Sequence, residues 1–311
     1  MTKSNIFNYL TEEEDGSYSF TYGPFVLYSA LQPIFSRDDK DILEIQAFEG
    51  LVRPTRGGEP VRPAQFFPVV SAQDFPMIDS RCRTLHIANA GLLQRSRAKL
   101  FVNFHPRIFV TNDAITEEVM QILAATAEAG LTPDRIVCEI TQRENDSADM
   151  LYRFVRELHG HGFKIAIGDY GAGDSDINRI KVMKPDYVKF EASWVKSFME
   201  NSAGAALLRV MVSQFHEDGI LVIFEGLEEL WQVDLCQDLG VTLMQGYALA
   251  QPELAPTTFN ERFPESGVDV RSDAPTRLAA RAAPDVAMPR HPASPVRFGG
   301  LRQSSFGKRG L

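Results

Sequence analysis

Seven strand-like runs in this chain each close on a side chain that can ligate a cation, carry charge or move a proton. In chain order these are Glu49, Asn103, Glu139, Asp169, Lys189 (followed by Glu191), Glu225 and Gln245. Each alone has a plain explanation, since a carboxylate or Lys at a strand end is usually a solvated rim charge and an Asn a turn-former. Taken together they form a set rich in oxygen donors with one amine. Hard divalent cations such as Mg2+ and Mn2+ take carboxylate and carboxamide oxygens. The chain has no His-rich or Cys-rich cluster of the kind that holds zinc. Carboxylates around hard cations suit phosphoryl chemistry, in which one metal polarises the phosphate and a second lowers the pKa of the attacking water. The residues point to a phosphodiester site.

Such a set needs a scaffold that delivers every strand end to one face. From residue 100 the chain alternates strand and helix. Strand candidates are Leu100–Phe104, Ile136–Thr141, Lys164–Ile167, Tyr187–Glu191, Ile220–Glu225 and Thr242–Tyr247, with helix-length segments such as 117–128, 147–160 and 204–217 among them. Before these, 25–35 and 42–51 read as two strands joined by the polar turn 37–40, a hairpin spacing that predicts an antiparallel first pair. Eight strands in about 230 residues of repeated βα units argue for a closed α/β barrel, whose chemistry sits at the C-terminal strand ends. An open doubly wound sheet is disfavoured, because no Gly-rich phosphate loop follows the first strand.

The remaining sequence sets limits. A hydrophobic content of 44% and a charged content of 23% describe a globular chain with a substantial core. The net charge of −9 argues against nucleic-acid binding by the body of the protein. Residues 265–311 hold eight Lys/Arg and four acids, so this Pro- and Arg-rich tail is +4 and the remainder −13. The tail is expected to be disordered, and either inert or in electrostatic contact with an acidic partner, nucleic acid or lipid. Residues 1–22 read as a polar, acidic leader that packs loosely, leaving 23–263 as the barrel domain. Three widely spaced cysteines imply no disulfide framework. With no apolar leader and no apolar run near the ~18 residues of a membrane span, the expected location is the cytoplasm.

The motifs carry a family resemblance. Gln32-Pro-Ile34 matches the Q-P-I of EAL domains, the fold of cyclic-di-GMP phosphodiesterases. Glu49-Gly-Leu51 stands for E-A-L with Arg53 after it, and Val102-Asn103 for V-N. Glu139-Ile-Thr-Gln142 stands for E-x-T-E, and Gly168-Asp-Tyr-Gly-Ala-Gly173 for D-D-F-G-T-G. Lys189-Phe-Glu191 replaces K-x-D, while Glu225-Gly-Leu-Glu228 and Gln245-Gly-Tyr247 match E-G-V-E and Q-G-Y. The resemblance runs from about Phe25 to Pro252. It implies a TIM-like (β/α)8 barrel with an antiparallel first strand and a cyclic-di-GMP ligand. It also implies that Glu49, Asn103, Glu139 and Asp169 surround Mg2+ or Mn2+, with Lys189 and Glu225 acting in catalysis. Gln32, Leu51, Arg53, Asp169 and Gln245 would contact or support the nucleotide.

The departures from the family pattern cluster in the centre. Gly168 replaces the acid that bridges two metals, so cation binding is expected to be weakened, with Asp169 able to swing across. Gln142 and the altered loop 173–178 change the segment after Asp169. Glu191 lengthens an Asp by a methylene, while Gly50 for Ala is expected to matter little. Two functions follow from the resemblance. The first is a degenerate domain that acts as a cyclic-di-GMP receptor or protein-interaction module without catalysis. The second is an impaired phosphodiesterase producing pGpG. Regulation through protein partners alone is a third reading, and a homodimer is left open.

Overall fold

The structure, a computed structural model, describes residues 5–38, 40–105, 111–141, 148–171, 180 and 182–265. Two short strands, β1 (Thr11–Glu12) and β2 (Tyr18–Tyr22), lead into a long hairpin of β3 (Phe25–Arg37) and β4 (Leu43–Arg56). After β5 (Glu59–Pro60) come α1 (Pro63–Phe66), α2 (Phe75–Gly91), β6 (Lys99–Phe104) and α3 (Asn112–Glu128). Next follow β7 (Ile136–Thr141), α4 (Ala148–Gly160), β8 (Lys164–Tyr170), β9 (Tyr187–Phe190), α5 (Ala192–Met199) and α6 (Ser202–Glu217). The described chain ends with β10 (Leu221–Phe224), α7 (Leu230–Leu239), β11 (Leu243–Met244), β12 (Glu253–Leu254) and α8 (Phe259–Arg262).

Eight of these strands close a ring in the order β3, β11, β10, β9, β8, β7, β6, β4, with β4 pairing back to β3. β3 is antiparallel to both β4 and β11, and the other neighbours in the ring are parallel. The expected barrel with an antiparallel first strand is therefore present. The last strand is shorter than the expected 242–247, although the Gln245 amide still donates to the Phe224 carbonyl at 2.9 Å.

Two cores hold the ring. Inside, Ile34, Ala47, Phe101, Val137, Ala166, Tyr187, Ile223 and Leu243, one from each ring strand, form a sealed apolar layer. Outside, helices pack on the outward-facing strand residues. Helix α4 shows how, burying Leu151, Phe154, Val155 and Leu158 at spacings of three and four on one face. Residues 9–22, read from sequence as part of a loosely packed leader, join the fold instead. β2 pairs antiparallel with β3, Phe20 is fully buried, and the Asn89 side chain on α2 bonds both the amide and the carbonyl of Tyr18. Their acidic composition hid an apolar strand edge. No helix among the described residues is long and apolar enough to cross a membrane.

Candidate functional site

Side chains on a strand alternate between faces, so two residues beyond each member of the apolar layer lies another inward position. On β4 and β6 to β11 that step gives Glu49, Asn103, Glu139, Gly168, Lys189, Glu225 and Gln245. On antiparallel β3 it runs backwards from Ile34 to Gln32, which pairs with Glu49. Six of the seven strand-end groups, joined by Gln32, thus form one polar ring a single pleat above the barrel's apolar layer, and Gly168 stands in it where the strand-end pattern predicts Asp169. Gly168 is the one position of that ring without a polar side chain.

Lys189 occupies the centre. It is 1% exposed, and its Nζ lies 2.9 Å from Glu49 Oε2, 3.0 Å from Glu139 Oε2 and 3.1 Å from Glu225 Oε2. Glu49 also accepts from Asn103 Nδ2 (3.1 Å) and Gln245 Nε2 (2.9 Å). Burial opposes the charge on Glu49, but Lys189 and these hydrogen bonds outweigh it and hold the carboxyl below its ordinary range. Burial prevails at Glu139: with Glu49 and Glu225 adding repulsion, its pKa is pushed up to about 8 despite Lys189. Glu225 is also raised, by burial first. Burial disfavours the Lys189 ammonium, yet the three carboxylates keep it well above its usual value. Gln245 Oε1 is buried with no hydrogen-bond donor. Among the described residues, no three His, Cys, Asp or Glu side chains group as metal ligands, and the three glutamates converge on the ammonium instead.

Strand β8 breaks at the sequence departure. The register with β9 shifts between Ile167 and Tyr170, and Asp169 sits in the bulge at φ 53°. A left-handed conformation costs a non-glycine residue roughly 1 kcal/mol or more. A Cβ built on Gly168 would lie 2.8 Å from Glu139 Oε1 and 3.3 Å from Thr141 Oγ1, so position 168 points into the acid ring. Asp169 is exposed and lines a neighbouring cavity. The bulge turns Asp169 out of the ring's phase, so it does not take the place of position 168, while its charge still acts on Glu225.

That cavity has a volume of about 440 Å³ and adjoins the ring at Asn103, Thr141 and Asp169. Leu51, Phe67 and Phe75 give it apolar walls, while Arg53 and His86 give it polar ones. The half-buried Arg53 donates to its neighbour's carbonyl, Val52 O, at 3.0 Å. An apolar cleft with a few converging polar groups, beside a ring of carboxylates, is the form of a small-ligand site.

The EAL domain family model matches residues 26–252. This chain belongs to the EAL domain family. Among solved EAL structures, it resembles Klebsiella pneumoniae BlrP1 in its manganese/cyclic-di-GMP complex, with a TM-score of 0.64 and 29% identity over 75% of this chain and 57% of that one. A standalone EAL protein of Vibrio cholerae, in its c-di-GMP-bound form, matches with a TM-score of 0.64 and 25% identity, covering 74% of this chain and 94% of that one. The cyclic di-GMP phosphodiesterase PdeB of Shewanella oneidensis is 25% identical over 230 residues, 72% of this chain and 25% of PdeB. The Escherichia coli protein PdeA, a probable cyclic di-GMP phosphodiesterase, is 29% identical over 125 residues, 40% of this chain and 17% of PdeA. The chain thus spans a quarter or less of the length of these two relatives.

Two sequence expectations about the EAL motifs need correction. Glu191, expected beside Lys189 as a strand-end group, serves as the N-cap of α5. Its carboxylate accepts from the amides of Ser193 (3.0 Å) and Trp194 (2.8 Å). β9 ends at Phe190, so the next residue starts a helix instead of another pleat. Gly50, taken as a neutral exchange for the Ala of E-A-L, is tightly constrained: an added Cβ would meet the His86 side chain at 2.5 to 2.9 Å. Gln142 and the loop 173–178 lie outside the described residues.

Residues that sequence reasoning missed come from α2. Arg83 is 1% exposed; it pairs with Asp79 and Glu118, stacks on Phe104 and donates to the Asn103 carbonyl at 3.2 Å. It ties the end of β6 to two helices and so fixes Asn103. The signal available was Arg83 and His86 three apart, hence on one helix face.

Proposed function

We propose that this EAL domain binds cyclic-di-GMP without hydrolysing it, and that it acts as a regulatory receptor in cyclic-di-GMP signalling. The observation that carries the reading is the asymmetry between ring and cavity. The ring lacks a side chain at Gly168, whereas Leu51 and Arg53 still line an open cleft of about 440 Å³ beside it. In this reading Arg53 meets a phosphate, and Gln32, Leu51 and Gln245 support the dinucleotide. The output passes to a protein partner or to a second copy of the chain.

With the Lys189 ammonium displaced, the donor set would suit one hard cation. Glu49, Glu139, Glu225, the Asn103 amide and the undonated Gln245 Oε1 supply oxygens of the right kind. It does not fit a pair. Two metals roughly 3.5–4 Å apart need a shared carboxylate, and position 168 offers no oxygen. Mg2+ or Mn2+ would therefore bind weakly, by displacing the Lys189 ammonium from the glutamates. A bound cation supplies charge to polarise a phosphate oxygen and to lower the pKa of a water.

A second reading, a slow phosphodiesterase yielding pGpG, draws support from the seven other ring positions, which all keep polar side chains. Calorimetry with cyclic-di-GMP, with and without Mn2+, tests the receptor reading. Saturable binding that is lost in Arg53→Ala supports it. A flat titration at high protein concentration, unchanged by Arg53→Ala, would leave regulation through partners alone.

A further inference from the structure

The room left open by Gly50 is filled by one side chain. A methyl at residue 50 would stand 2.5 Å from His86 Cγ, 2.7 Å from its Cβ and 2.9 Å from its Cδ2. Contacts under 3 Å between carbons lie deep in the repulsive wall. The imidazole and the missing methyl are therefore alternatives for one volume. His86 is 4% exposed, and its Nδ1 shares a 2.8 Å hydrogen bond with Ser29 Oγ on β3. Strands β3 and β4 together fix the ring on the cavity wall beside Leu51 and Arg53.

One nitrogen is still to be accounted for. Nε2 has no hydrogen-bond partner among the described residues, and it is absent from the sealed, unpartnered polar atoms. A polar atom at a cavity wall without a protein partner bonds to whatever fills the cavity. Burial, reinforced by Arg53 and Arg83 and opposed by Glu49, lowers the His86 pKa to about 3, so the ring is neutral at ordinary pH. A neutral imidazole offers one donor and one acceptor and has no charge to favour a phosphate. With Nδ1 held by Ser29, Nε2 alone is left to the ligand, and its counterpart is a single donor or acceptor such as a nucleobase edge presents.

We infer that His86, seated in the space vacated at Gly50, is a specificity-determining residue that hydrogen-bonds through Nε2 to a base edge of the bound cyclic dinucleotide. This rests on the proposed reading of the cleft as a cyclic-di-GMP site. Guanine and adenine present different groups on their edges, and the tautomer that the Ser29 hydrogen bond holds decides which of them Nε2 favours. The Gly50–His86 pair then acts as a unit, in which the glycine admits the ring and the ring reads the ligand.

The test is calorimetry with cyclic-di-GMP and cyclic-di-AMP, with melting curves as a control on folding. His86→Asn keeps an amide near Ser29 and removes the Nε2 contact, whereas His86→Gln places an amide nitrogen near the Nε2 position. His86→Asn is expected to weaken cyclic-di-GMP about 3- to 10-fold, the range of one neutral hydrogen bond. It should also narrow the preference over cyclic-di-AMP, while His86→Gln retains most of both. Gly50→Ala should lower the melting temperature, and Gly50→Ala with His86→Ala should recover it without recovering the preference. Unchanged affinity and preference in a folded His86→Asn, with Arg53→Ala defective, would overturn the role of His86 and leave the receptor reading standing. A parent protein that binds neither dinucleotide overturns the receptor reading itself, and the inference with it.

Discussion

Restoring the absent ring acid should harm the protein before it helps it. Gly168→Asp adds a fourth carboxylate to a ring holding three glutamates and one ammonium. Its Cβ would start 2.8 Å from Glu139 Oε1, which must give way, and Glu139 is already pushed up to about 8. The electrostatic cost has a ceiling, because a carboxyl that cannot bear its charge takes up a proton. From an ordinary Asp pKa near 3.9 to about pH 7, that ceiling is roughly 4 kcal/mol, and at about pH 5.5 roughly 2 kcal/mol. A loss of about 2–4 kcal/mol at neutral pH corresponds to a melting temperature lower by roughly 4–16 °C for a domain of this size. The assay is thermal unfolding with EDTA at both pH values, then with Mn2+. The variant should be less stable than the parent in EDTA, recover part of the gap at the lower pH, and gain more from Mn2+ than the parent does. Stability equal to the parent's in EDTA at both pH values would refute the account of a charge-balanced ring centred on Lys189.

Lys189→Met should cost about 3–5 kcal/mol in metal-free buffer, because it leaves buried carboxylates without their shared partner; denaturant titration measures this, and lower pH should reduce the loss. Glu191→Ala should lower stability by roughly 0.5–2 kcal/mol through loss of the α5 cap, with cyclic-di-GMP affinity unchanged by calorimetry. His86 gives a pH signature of known sign. Its folded pKa of about 3 lies below the unfolded value near 6.5, so its stabilising effect is complete above the unfolded value and is lost as pH falls. Relative to His86→Gln, the parent should lose roughly 2–3 kcal/mol on going from about pH 7 to about pH 4.5, read from unfolding curves at each pH.

The barrel was legible because its strands are β-branched and aromatic runs that end on polar residues, and because seven such ends fall in sequence order. Most of the ring at the top was legible for the same reason, whereas the gap at Gly168 showed only through the EAL motif, because the strand-end pattern pointed to its neighbour Asp169. Helix α2 was not. It is buried on several sides, between the barrel and the β2 segment, so Arg83, Thr84, His86 and Asn89 stand where an amphipathic pattern would show only apolar residues. The Gly50 exchange looked neutral because its cost lies in a contact with His86, which is far along the chain. Glu191 was misread because the end of β9 and the start of α5 are one residue apart, and the period-2 pattern does not show where a strand stops. The acidic composition of the first 22 residues likewise concealed Phe20, whose burial depends on partners in β3 and α2.

The central claim is that the site holds the dinucleotide and leaves it intact. It is tested most directly by incubating the purified protein with cyclic-di-GMP and Mn2+, measuring bound nucleotide and the linear product in the same sample, with Arg53→Ala and Glu49→Ala in parallel. The account predicts saturable binding that requires Arg53 and no accumulation of pGpG over the blank. Metal-dependent formation of pGpG that disappears in Glu49→Ala would contradict it.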